Sequence, residues 1–154
     1  MYYWLLPIKV EKLKEFKDAK VVMAYWSMPD EVFTHDFILK WYNKKTIILP
    51  VVKKDELELK VFTGIENMTQ GQSFNIGEPT GKAFIDIQNI DLILIPGVAF
   101  DKKNNRLGRG KAYYDKLLNS VNALKVGICF DFQMLGSVPV DEHDVKMDMV
   151  ISDL

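Results

Sequence analysis

Apolar residues are distributed along this chain in two rhythms. Short continuous runs, "VVMAYWSM" (Val21 to Met28), "TIILPVV" (Thr46 to Val52), "IDLILIPG" (Ile90 to Gly97), "KVGICF" and "DMVISDL", predict strands buried on both faces. "LELKVFTG" instead alternates and ends in glycine, the pattern of an edge or hairpin strand. Helical spacing fills the intervals. From Lys9 to Lys20 the apolar positions are Val10, Leu13 and Phe16, one face of a helix. "PDEVFTHDFILKWYN" predicts a second helix, with Asp30 available as a cap, Glu31 suited to the first turn, and Val32, Phe33, Phe37 and Trp41 facing a core. "KAYYDKLLNS" predicts a third, and Glu66 to Gly81, rich in Gly, Asn and Thr, reads as loop.

Non-alternating strands separated by helices predict an α/β layer fold with a mainly parallel sheet. Such sheets bind ligands at the carboxyl ends of their strands. That singles out the loops from Ser27 to Glu31, Gly97 to Lys111 and Phe130 to Asp144. A length of 154 residues fits one domain, 1–154. The net charge of −1 gives no global basic field to recruit nucleic acid or an anionic membrane. A single cysteine, Cys129, can form no internal disulfide and fits a reduced, cytoplasmic setting. The apolar start "MYYWLLPIKV" has no basic n-region and meets Pro7 and "EKLKEFKDAK" at once, which argues against a signal peptide. No apolar run has the length needed to span a bilayer.

The loop chemistry centres on "RLGRGKAYYD", Arg106 to Asp115. Gly108 and Gly110 let backbone approach a ligand, and a helix beginning near Lys111 would offer free N–H groups to a phosphate. Arg106, Arg109 and Lys111 add full charges, although the same composition also describes a solvated basic turn. The GxxxxGK[ST] spacing of a Walker A loop is absent. Asp115 either pairs with those cations or, with a second carboxylate, holds Mg²⁺ beside a phosphate. "DEHDVKMD" (Asp141 to Asp148) supplies candidates for that second group. His143 and His35 read as surface residues rather than ligands. Trp26 and Glu31 offer an aromatic face and a carboxylate suited to a planar heterocycle, or simply a packed ring and a helix-start charge.

In order, "MPDEVFT", "ILPVV", "GEPTG", "DLILIPGVAFD", "RLGRGKAYYD" and "VPVDEHDVKMD" resemble the 5-formyltetrahydrofolate cyclo-ligase family, also called 5,10-methenyltetrahydrofolate synthetases. "PGVAFD…RLGRGKxYYD" is the most specific piece. The resemblance implies a three-layer α/β/α fold, a cytoplasmic enzyme, and use of ATP and Mg²⁺ to close 5-formyltetrahydrofolate to the methenyl form. It implies that Arg106, Leu107, Gly108, Arg109, Gly110, Lys111, Ala112, Tyr113 and Tyr114 line the ATP phosphates. Arg109, Gly110, Lys111, Ala112 and Tyr113 would also touch the folate, with Arg109, Lys111 and Tyr113 catalytic. Trp26 and Glu31 would lie on the pterin side, and Asp115 and Asp144 would hold the metal.

Two departures modify that expectation. Ala112 stands where the family commonly has glycine. The family also usually begins with a further helix whose Lys and Arg reach the ATP phosphates, and this chain matches only the end of that region. The expectation is weak turnover and weak ATP affinity with folate binding less affected, or an inactive folate- and nucleotide-binding relative; "YYWLLPI" is then either an apolar surface covered by a partner chain, as in a dimer, or the sign of a true start further upstream. The competing class, an RNA-binding module, has basic residues and paired tyrosines in its favour and the neutral charge against it.

Overall fold

The computed structural model describes residues 9–70, 77–109 and 112–153. A six-stranded sheet forms its centre: β1 (Val21–Met23), β2 (Thr46–Lys53), β3 (Glu56–Val61), β6 (Leu92–Ile95), β9 (Leu124–Ile128) and β11 (Met149–Ile151), in the order β11-β9-β6-β1-β2-β3. All neighbours are parallel except β2 and β3, an antiparallel hairpin in which Lys53 pairs with Glu56. β3 is thus the edge strand that its alternation predicts. A second, three-stranded sheet joins β7 (Ala99–Asp101), β8 (Arg106–Leu107) and β10 (Met134–Leu135). β4 (Met68–Gln70) pairs with β5 (Gly77–Pro79).

Consecutive residues of the buried strands enter different cores, which is why their sequences do not alternate. Leu92 and Leu94 of β6 pack on one side of the sheet with Phe16, Phe37 and Ile38. Ile93 and Ile95 pack on the other with Phe100 and Leu118. The first side carries helices α1 (Lys14–Asp18) and α2 (His35–Trp41), and the second carries α3 (Tyr113–Leu118) and the small sheet. This is the three-layer α/β/α arrangement.

Several element boundaries differ from the pattern reading. Residues 9–11 are helical, but the chain breaks before α1, so the expected helix from Lys9 to Lys20 is two pieces. β1 stops at Met23. The helix expected from Asp30 begins only at His35, and Asp30 caps nothing. The cause is a competing set of bonds: Ser27 N–H donates to Thr34 Oγ1 (3.2 Å), Thr34 N–H donates to Ser27 Oγ (3.0 Å), and Thr34 Oγ1–H donates to the Tyr25 carbonyl. Small hydroxyl side chains that satisfy backbone locally favour a closed loop over a helix start. The Gly97–Lys111 loop holds the β7–β8 pair, the Phe130–Asp144 loop holds β10, and the Glu66–Gly81 loop holds β4 and β5. Asp101, only 3 % exposed, anchors the β7–β8 connection. Its carboxylate accepts N–H bonds from Lys103, Asn105 and Val138 and from the Asn105 amide. Burial alone would raise that carboxyl's pKa, but these donors outweigh it and hold it below the usual range.

No helix among the described residues is long and apolar enough to cross a membrane. The segment "YYWLLPI" and the pairing of copies expected through it lie outside the described residues. Cys129 is buried, and burial pushes its thiol up to about 12, so it is not a reactive thiolate.

Candidate active site

Because β1, β2, β6 and β9 run parallel, their carboxyl ends open on one side of the sheet. There a cleft of about 450 Å³ is lined from four directions. Trp26, Met28 and Glu31 follow β1; Pro50, Val52 and Leu57 belong to the β2–β3 hairpin; Pro96 and Gly97 follow β6; Pro139, Val140, Asp141 and Asp144 follow β9. The basic segment from Arg106 to Asp115 closes the remaining side. Trp26, Glu31, Arg106, Leu107, Gly108, Arg109, Ala112, Tyr113, Tyr114, Asp115 and Asp144 all meet here. Gly110 and Lys111 lie outside the described residues. Pattern reading missed the hairpin wall. β2 is also a parallel strand, so the rule naming the other three loops applied to its end as well.

Glu31 is carried at the tip of the Ser27–Thr34 loop. Its Oε1 accepts the Met28 N–H at 2.8 Å. Burial raises its pKa above the ordinary carboxylate value, partly offset by that bond and by the Arg109 charge. Trp26 is half-buried. His35 stacks on its indole with ring centres 3.7 Å apart and planes within 11°, and Phe62 lies nearly parallel at 5.8 Å. The imidazole Nε2–H of His35 donates to the Ser27 carbonyl at 2.9 Å. His35 therefore corrects its reading as a surface residue, because it packs between the indole and the loop. His143 is an exposed residue beside Glu142.

On the facing side Arg106 is not in a loop but in β8. Its Nε–H donates to the Pro96 carbonyl at 2.7 Å, and its guanidinium lies 5.0 Å from the centre of the Tyr114 ring. Burial lowers its pKa, while Tyr114, Asp115, Asp144 and Glu31 act in the other direction; an arginine stays cationic regardless. Gly108 lies against the Arg106 guanidinium: a Cβ there would sit 2.9 Å from Nη1, and the end of the arginine would have to shift. Burial also raises the pKa of the Tyr114 hydroxyl, keeping it protonated. Arg109 reaches across the cleft mouth, its Nη2–H donating to Asp30 Oδ2 at 3.1 Å. Tyr113 O–H donates to the Lys54 carbonyl at 3.3 Å and Lys116 Nζ–H to that of Asp55 at 3.2 Å, docking α3 on the hairpin tip.

α3 starts at Tyr113, later than the helix start expected near Lys111, with Ala112 at φ +56° before it. That left-handed conformation costs an alanine about 1 kcal/mol that a glycine avoids. Asp115 Oδ1 accepts the Val145 N–H at 3.3 Å, and Asp144 Oδ2 accepts the Asp141 N–H at 2.9 Å. Both donors lie in the loop after β10, which also carries Asp144, whereas Asp115 belongs to α3. These bonds leave each carboxylate one oxygen without a protein donor among the described residues. No group of three or more His, Cys, Asp or Glu suited to a metal occurs among the described residues. Two carboxylates facing a cleft nevertheless fit Mg²⁺, which is held by one or two carboxylates with phosphate oxygens and water.

Comparison with known proteins shows the family and the fold. Residues 5–153 match the model of the 5-formyltetrahydrofolate cyclo-ligase family. A probable 5-formyltetrahydrofolate cyclo-ligase from Schizosaccharomyces pombe is 34 % identical, over 94 % of this chain and 80 % of its own length. The 5-formyltetrahydrofolate cyclo-ligase of Mus musculus is 32 % identical, over 96 % and 80 %. The solution structure of Aquifex aeolicus 5,10-methenyltetrahydrofolate synthetase superposes with a TM-score of 0.85 at 34 % identity, covering 97 % of this chain and 77 % of that one.

Proposed function

The chain belongs to the 5-formyltetrahydrofolate cyclo-ligase family, and from that premise we propose that it uses ATP to convert 5-formyltetrahydrofolate into 5,10-methenyltetrahydrofolate, releasing ADP and phosphate. One observation carries the reading. A single cleft is lined by Trp26 and Glu31, by the cationic Arg106 and Arg109, and by the carboxylates Asp115 and Asp144.

The formyl oxygen attacks the γ-phosphorus of ATP and ADP leaves. N10 of the folate then attacks the activated formyl carbon, its proton is lost to water or phosphate, and the carbon–oxygen bond breaks as phosphate departs. Little covalent chemistry is asked of the protein, so catalysis rests on positioning and charge neutralisation. Glu31 accepts hydrogen bonds from the pterin N–H groups and Trp26 supplies an apolar wall. Arg106, fixed by the Pro96 carbonyl and the Tyr114 ring, presents its guanidinium to phosphate oxygens. Arg109 exchanges Asp30 for the same oxygens, which is inexpensive because the pair is half-exposed. Lys111 adds a further cation and Tyr113 a hydroxyl. Asp115 and Asp144 would hold Mg²⁺, whose chemistry here is to neutralise charge on the phosphoryl oxygens.

Two variants test this assignment as a crossed pair. Arg109→Ala should raise the KM for ATP about tenfold or more, the value of one charge-assisted contact, with the fold intact. Glu31→Gln should raise the KM for 5-formyltetrahydrofolate and spare ATP. Unchanged ATP affinity in the first variant, or equal loss of both ligands in the second, would overturn the assignment.

A further inference from the structure

We propose that His35 is a positioning residue for the folate side of the cleft, acting through Trp26. The inference rests on the functional reading above, in which Trp26 forms part of the pterin-side wall. Trp26 follows β1 in irregular backbone, so no strand ladder fixes its ring plane. The plane is set by neighbours instead. His35 covers one indole face at 3.7 Å and within 11° of parallel, a closer and better aligned contact than Phe62 at 5.8 Å and 25°.

His35 can do this because it is held itself. It opens helix α2, and its Nε2–H is anchored on the Ser27 carbonyl. Ser27 and Thr34 are tied to each other by two hydrogen bonds, and the segment between them carries Glu31. The imidazole therefore joins the two folate-side groups, the indole and the Glu31 loop, into one unit. A helix start needs no aromatic ring, and a solvated histidine would leave the indole face to water. Stacking is the contact that matters for positioning, and the hydrogen bond serves to orient the ring. A flat apolar ring at residue 35 should then replace the histidine, whereas a polar side chain without a ring should not.

The experiment compares His35→Ala, His35→Phe and His35→Gln. Without any substrate, hydrogen exchange at the Trp26 indole N–H reads how firmly the ring is held. It should be about fivefold faster in the Ala and Gln variants and near wild type in the Phe variant, the range expected from one lost ring stack. With substrate, the KM for 5-formyltetrahydrofolate should rise about fivefold in Ala and Gln and return to near wild type in Phe. kcat and the KM for ATP should be unchanged in all three. Unchanged indole exchange in the Ala variant overturns the inference, whatever the substrate is. Faster exchange with an unchanged folate KM overturns it as well, by showing that the folate does not use this wall. A wild-type protein that never turns over 5-formyltetrahydrofolate overturns the functional reading alone, and the exchange rates still decide whether His35 fixes the indole.

Discussion

Glu31 enters the cleft with one carboxylate oxygen already holding the Met28 N–H, and burial raises its pKa above that of an exposed glutamate. Two consequences follow from the sign of that shift. The folded state takes up this proton at a higher pH than the unfolded chain does, so ionising Glu31 costs stability as pH rises through the interval. The carboxylate is therefore kept against stability, as a ligand group would be. If it accepts pterin hydrogen bonds, folate binding should fail as pH falls through the raised value, on an acid limb above the range of an exposed glutamate. A pH profile of kcat/KM for 5-formyltetrahydrofolate should show that limb in the wild type and lose it in Glu31→Gln. Glu31→Gln should melt no lower than wild type at neutral pH. A limb that persists in the variant would assign the titration to another group.

Elements differ in how openly the sequence announces them, and the difference is physical. β2, β6 and β9 are legible because burial on both faces demands continuous apolar residues. α2 is legible from Phe37 onward, but Val32 and Phe33 extend its period into a loop closed by Ser27 and Thr34. Nothing in the period separates a helix turn from that loop; only the hydroxyl pair at its two ends does. β7, β8 and β10 are too short to establish a rhythm at all. One wall of the cleft is legible in the glycine and charge pattern of Arg106 to Asp115, while the hairpin wall and the His35–Trp26 stack need the fold. Lys45 shows a similar dependence at the other end of the sheet. Its Nζ donates to the Phe16 and Ala19 carbonyls at 2.8 and 2.6 Å, and to that of Lys17 at 3.3 Å, completing the C-terminus of α1. Lys45→Met takes the ammonium off the Phe16 ring and away from the three carbonyls, of which Phe16 keeps only the Ala19 N–H. Thermal unfolding should show a loss of about 1–3 kcal/mol. Both substrate KM values should stay at wild type, because Lys45 precedes β2 and lies opposite the cleft. A change in either KM would show that the two ends of the sheet are coupled.

At the scale of the whole molecule, a parallel sheet with helices on both faces gathers four strand ends into one opening. Trp26 and Glu31 then share one cleft with Arg106 and Tyr114, and Arg109 is paired with Asp30 beside Glu31. An enzyme that must hold two substrates in contact needs such an arrangement more than it needs a reactive side chain. The central claim is accordingly that both substrates react in this cleft and that ATP is consumed in the reaction. Absorbance at the band of 5,10-methenyltetrahydrofolate, followed with ATP, Mg²⁺ and 5-formyltetrahydrofolate present and ADP measured in parallel, tests it most directly. The account predicts a growing band, ADP and product in equal amounts, and no growth when ATP is omitted. A flat absorbance although both substrates bind, or the same growth without ATP, would contradict it.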